Sequence, residues 1–226
     1  MRVDGQVCFR LPTGESAPSF GPGLLLQLRD VHQEALADLL QVFACGEESA
    51  SLAFARLGGA PLEEAARCGL ARIAEEELVH ERLLRGLRGA LPAPARDREL
   101  RRALLRFYHG IAQDDIGLHL ASIASLDSAA CLILSALLER DSILAQEPTV
   151  AAIFRRIHRD EAGHVRLSRR IAAELVRKDV IGTVAERTRL GLVCVLVRRG
   201  AAFERLGIDA GRLFVRLGRV PDGLFA

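Results

Sequence analysis

Two short strings, Glu77-Leu78-Val79-His80 and Glu161-Ala162-Gly163-His164, decide how this chain reads. Each places a Glu three residues before a His. On a helix, residues three apart share a face, so each string offers one carboxylate and one imidazole to a common point. One such tetrapeptide is commonplace in a chain rich in Glu, where it usually marks a solvated helix face. Two of them, in separate helical stretches, make a pattern that asks for inward carboxylates on the other long helices.

The flanking sequence supplies those helices. From Leu24 to about Leu57 apolar residues recur at helical spacing, and the stripe Leu36, Leu40, Phe43, Glu47, Ala50, Phe54 carries Glu47 at its centre. An unpaired carboxylate there is costly to bury, which makes Glu47 the first-helix candidate. Glu48 falls on a smaller, more polar stripe. Gly46 beside it weakens the helix and allows a bulge or close packing. Gly58-Gly59-Ala60-Pro61 ends this helix and starts a second, which runs to about Leu87 and carries Glu77 and His80.

Pro92-Ala93-Pro94 breaks the chain, and Asp97 is suited to cap a short helix over 98–110. A third long helix is expected from Ile116 to Ala145, and a fourth from the Glu147-Pro148-Thr149 turn to Lys178. Asp127 lies on the apolar stripe of the third helix. Glu139 is the alternative, but it stands near the turn and precedes Glu161 by only 22 residues, against 34 for Asp127 and 30 between Glu47 and Glu77. The preferred ligand set is therefore Glu47, Glu77, His80, Asp127, Glu161 and His164. His158 is a candidate extra ligand, Asp160 a candidate orienting group, and His32, His109 and His119 read as surface or packed residues.

Composition agrees with an all-α protein. The chain has 226 residues, abundant Ala, Leu, Arg and Glu, no Trp and only 4% aromatics. The expected organisation is an N-terminal arm over 1–22, a four-helix bundle over 23–178 with a long crossover, and a helical extension over 179–226. Two short helices broken at Gly200 and Gly207 are expected in that extension. With 31 basic and 29 acidic residues the charge does not favour nucleic acid. Only Lys178 is a lysine, a skew that reads as compositional. Five cysteines without a CxxC pair, four of them in apolar helical patterns, suit a reducing cytoplasm. The longest apolar stretches read here, Leu24–Leu26 and Leu190–Val197, are too short to span a membrane.

The order carboxylate, Glu-x-x-His, carboxylate, Glu-x-x-His resembles the ferritin-like di-iron carboxylate superfamily. Gly46-Glu47-Glu48-Ser49-Ala50 and Ile73-Ala74-Glu75-Glu76-Glu77-Leu78-Val79-His80 resemble the first- and second-helix motifs of rubrerythrins. Asp160-Glu161-Ala162-Gly163-His164 resembles the fourth-helix string of many ferritin-like oxygenases. The resemblance covers about residues 24–175. It implies a ferritin-like bundle holding two iron ions, or a manganese–iron pair, that activates O2 with an external electron donor to oxidise a small organic substrate. A homodimer is the expected assembly. Three other readings stay open: a rubrerythrin-like peroxidase or ferroxidase, a tRNA hydroxylase of the same type, and a bundle that has lost its metal. The absence of CxxC pairs and of any Met beyond Met1 weighs against rubredoxin-bearing and haem-binding members.

Overall fold

Side-chain caps start four of the helices. Asp97, Asp115, Glu147 and Asp209 each accept a hydrogen bond from the backbone N–H three residues on, at 2.7–2.8 Å. Each cap satisfies a donor that the helix leaves unpaired and contributes about 1 kcal/mol. The computed structural model describes residues 26–94 and 97–225. Among these residues the chain is all-helical, without strands. The elements are α1 (Asp30–Gly58), α2 (Glu64–Gly89), α3 (Arg98–Ile111), α4 (Ile116–Leu137), α5 (Pro148–Leu175), α6 (Lys178–Leu196), α7 (Gly200–Arg205) and α8 (Ala210–Leu217).

The long helices pair as α1 with α2 and α4 with α5, and α2 also meets α5. The short links at 59–63 and 138–147 make each pair antiparallel neighbours. Helix α3 lies in the crossover between the pairs and packs on α6. Helix α6 in turn lies along α4, with α7 and α8 on α1 and α6. The larger core cluster runs through Leu36, Leu40, Leu84, Leu134, Phe154 and Leu196, and so joins the C-terminal helices to the rest. A second cluster, with Phe54, Leu70, Ile73, Leu120 and Ile171, closes the other end.

Several boundaries differ from the sequence reading. The arm over 1–22, Cys8 and Leu24 lie outside the described residues. Residues 26–29 are not helical, and α1 starts at Asp30 rather than near Leu24. The Gln33 side chain donates to the Leu28 carbonyl at 2.8 Å and holds the chain extended there. The third long helix stops at Leu137, not Ala145, because Ser142 turns the chain. Its hydroxyl donates to the Leu137 carbonyl and accepts from Ala145 N–H at 3.1 Å, offering the backbone an alternative to the helical ladder. The fourth ends at Leu175, where Val176 is extended. Residues beyond it form one 19-residue helix and two short ones, not two short helices. Gly200 starts α7 with ordinary helical angles, whereas Gly207 ends it at φ +82°.

Two further readings are corrected. Cys68 and Cys194 are exposed, while Cys45 is buried and Cys131 half-buried; none of the four is in a disulfide. Helix α4 is a longer apolar stretch than either of those noted above. By length and composition it could cross a membrane, with a window hydropathy of 1.8, yet 67% of that window is buried inside the protein and it carries Asp127.

Close contacts at two glycines fix α3 over the bundle. A Cβ on Gly191 would lie 2.9 Å from the Phe107 ring, and one on Gly46 would lie 3.1 Å from the Tyr108 hydroxyl. The first contact is with a ring that has little room to yield. Gly191→Val is therefore expected to destabilise the fold by about 1–3 kcal/mol, read as a Tm lowered by several degrees in a thermal melt.

Candidate metal centre

The two Glu-x-x-His strings lie on α2 and α5, at the level where these helices meet. Glu77, His80, Glu161 and His164 are buried, with Glu77 and His164 1% exposed and His80 0%. Helix α1 adds Glu47, which is partly exposed, and α4 adds buried Asp127. Ligand atoms of Glu47, Glu77, His80 and Glu161 lie within 4.8 Å of one another, and so do those of Asp127, Glu161 and His164. Glu161 belongs to both groups. All six preferred residues thus meet in one buried cluster with room for a metal ion in each half.

The contacts are those of a metal-binding set. Nδ1 of His80 faces three carboxylate oxygens, from Glu47 at 3.2 Å, Glu77 at 3.3 Å and Glu161 at 3.6 Å. One ring nitrogen carries one proton and cannot satisfy all three. Nδ1 of His164 lies 3.0 Å from Glu77 Oε1 and 3.7 Å from Glu161 Oε1, the first contact being out of line for a hydrogen bond. Neither oxygen of Glu77, nor Oδ2 of Asp127, nor Nδ1 of His164 has a hydrogen-bond partner. Leaving four buried polar atoms unpartnered is expensive, and a cation between them would remove that cost. Glu77 turns one oxygen to each histidine, which is the posture of a bridging carboxylate.

The outer nitrogens are tethered crosswise. His80 Nε2–H, on α2, donates to Asp160 of α5 at 3.1 Å, and His164 Nε2–H, on α5, donates to Glu76 of α2 at 2.9 Å. Each acid immediately precedes the ligand Glu of its own helix. With Nε2–H of each ring committed outward, the Nδ1 proton is the one a metal ion would displace, and its loss turns the Nδ1 lone pair to the cluster. The rings themselves lie 5.7 Å apart, and Phe54 meets His164 edge-on at 6.0 Å.

The electrostatics follow from four carboxylates gathered with two imidazoles. Among the described residues no Lys or Arg pairs with Glu47, Glu77, Asp127 or Glu161; the Arg pairs nearby are with Glu76, Glu81 and Asp160. Burial raises the Glu47, Asp127 and Glu161 carboxyls, and their neighbouring acids, with Glu77 prominent, raise them further. Burial alone would raise Glu77 as well, but the nearby His164 and His80 rings outweigh it and hold that carboxyl low. Burial opposes charge on both histidines, yet the surrounding carboxylates win and raise them. Nitrogen and oxygen donors without sulfur suit iron, manganese or zinc, and four carboxylates balance the charge of two divalent ions.

The remaining candidates fall elsewhere. Glu139 is exposed in the turn after α4. His158 faces Ser135, with Nε2 3.0 Å from its hydroxyl, and is not part of the cluster. His32 is packed and bonds Arg29 at 2.8 Å. Sequence reasoning missed Glu76, whose place in a run of three Glu hides its separate role. In the sequence, the small residues Ala50, Ala130 and Cys131 beside the ligands leave room for a substrate pocket, and the structure has a cavity above the cluster. This cavity, of about 330 Å³, has Glu47, Glu77, Asp127 and Glu161 at its floor. Its walls come from α1, α4 and α5, from Tyr108 of α3, and from Leu192 and Leu196 of α6. Of those three small residues, Ala50 and Ala130 line the cavity and Cys131 does not.

No family model, curated protein or solved structure matches this chain.

Two predictions follow from the cluster. Asp127→Ala is expected to lower the stoichiometry of bound Mn(II) or Fe(II), whereas Glu139→Ala leaves it unchanged; metal analysis after equilibrium dialysis reads the difference. The raised carboxyls and histidines hold protons that a metal must displace, so loading releases protons and tightens as pH rises. Calorimetric titration in buffers of different ionisation enthalpy measures that release, and an enthalpy independent of buffer would contradict it.

Proposed function

We propose that this protein is a ferritin-like di-iron oxidase or oxygenase that uses O2 to oxidise a small organic substrate. The observation that carries this reading is the set of unpartnered carboxylate oxygens at the floor of an apolar cavity. A site serving only to bind metal needs no cavity above its ligands. When bound, the iron pair would supply the electrons and coordination sites that activate dioxygen.

The chain's own residues account for the rest. Glu47, Glu77 and His80 would hold one ion, and Asp127, Glu161 and His164 the other. Glu77 and Glu161, each near both histidines, would span the two positions. Asp160 and Glu76 fix the rings so that neither can rotate its Nδ1 away. Leu192, Leu196 and Tyr108 roof the cavity and keep bulk water from the reacting carbon. Inserting one oxygen atom into a substrate reduces the other atom to water, which consumes two electrons and two protons. The reading therefore includes an external reductant. The chain-wide arrangement of two antiparallel helix pairs joined through a crossover supports the ferritin-like assignment.

The test is oxygen uptake by anaerobically prepared ferrous protein. About two irons per chain are expected, with rapid O2 consumption that is lost in Glu77→Ala and Glu161→Ala while helical circular dichroism survives. Full iron retention by both variants, or ferrous protein indifferent to oxygen, would overturn the reading.

A further inference from the structure

The cavity has a polarity along its length. Its inner end lies beyond the ligands and is closed by buried apolar side chains, among them Phe154, Ile133 and Leu196, with Phe43 set edge-on to Phe154 at 6.1 Å. Its outer end opens at exposed Leu52, Arg56, His109 and Ala112, with His119 buried just inside. The carboxylates that line the cavity are those of the metal cluster; none lines the mouth. Among the described residues no acid pairs with Arg56, and its charge adds to burial in lowering His119. The mouth is therefore cationic, the interior apolar and the floor acidic.

Resting on the oxidase reading above, we infer that the substrate is a single-chain amphiphile whose anionic head is held at Arg56 and whose apolar chain passes over the metal cluster into the closed end. Helix geometry sets the register. Arg56 lies nine residues beyond Glu47 on α1, and His119 lies eight before Asp127 on α4, so the mouth is about 12–13.5 Å from the ligands along the bundle. An extended chain advances about 1.3 Å per C–C bond, each bond of about 1.5 Å lying on a zigzag, so a head at Arg56 brings roughly the ninth to eleventh chain atom to the metals. Oxidation then falls within the chain, not beside the head. Ala50 and Ala53 on α1, facing Ile123 on α4, leave the width that such a chain needs. His119 can donate a ring N–H to the same head group.

Binding to the full-length, metal-free protein tests this directly, by calorimetric titration with decanoate, 1-decanol and decyltrimethylammonium. Decanoate is expected to bind once per chain. Arg56→Glu, an exposed change that leaves the fold intact, should weaken decanoate at least tenfold, spare decanol and improve the ammonium amphiphile. Ala53→Phe should abolish decanoate and decanol binding while circular dichroism and metal stoichiometry stay as in the parent. Equal decanoate affinity in the parent and Arg56→Glu, or no saturable binding in the parent, would overturn the inference. Metal stoichiometry is measured on separate portions of each preparation after loading with Fe(II). Two metals without Arg56-dependent binding would sink the amphiphile and leave the oxidase reading standing; Arg56-dependent binding without metal would do the reverse.

Discussion

Four carboxylates share one buried site where, among the described residues, no Lys or Arg side chain pairs with them, and the rest of the molecule is arranged around that constraint. Mutual repulsion and desolvation both oppose this grouping. The two histidines offset part of the cost by holding protons among the acids. They cannot satisfy every oxygen, and Glu77 is left with both of its oxygens unpartnered. A site so built is stable only within a scaffold strong enough to hold it. The well-packed clusters above and below, anchored by Phe154 and Phe54 respectively, provide that scaffold.

The C-terminal helices complete the enclosure. Helix α6 lies against α4 and turns Leu192 and Leu196 toward the cavity, while α3 lays Tyr108 across Gly46. Arg189 of α6 is fully buried, with Nη1 donating to the Leu217 carbonyl at 3.3 Å and Nη2 to the Ser128 hydroxyl. Burial lowers its guanidinium to about 10. It therefore joins α4, α6 and the end of α8 through polar contacts directly behind the helix that carries Asp127. The segment after α5 is part of the site's wall and not an appendage.

Much of this was legible in the residues. The helical periods placed the long helices, and the carboxylate inside each apolar stripe pointed to Glu47 and Asp127, both of which lie in the cluster. Helix ends were less legible, because a serine hydroxyl at Ser142 and a glutamine at Gln33 redirect the backbone through single side-chain bonds. The cavity left only the small residues Ala50 and Ala130 beside the ligands as a local signal. Its walls come from helices far apart in sequence, and residues such as Arg56 and His119 look like ordinary surface and core positions until α1 and α4 are brought together. Glu76 was hidden for a related reason: its partner is a histidine 88 residues away.

The crossed tethers have a consequence for how the chain reaches its final form. Asp160 reaches His80 across 80 residues and Glu76 reaches His164 across 88, so each half of the molecule holds one ligand ring of the other. Neither helix pair alone supplies the partner of its own imidazole's outer nitrogen. Such distant contacts form only after the entropy of closing a long loop has been met, which places them late in folding. A chain whose two halves have not docked would therefore have the acids of the cluster without the crossed tethers that align its rings.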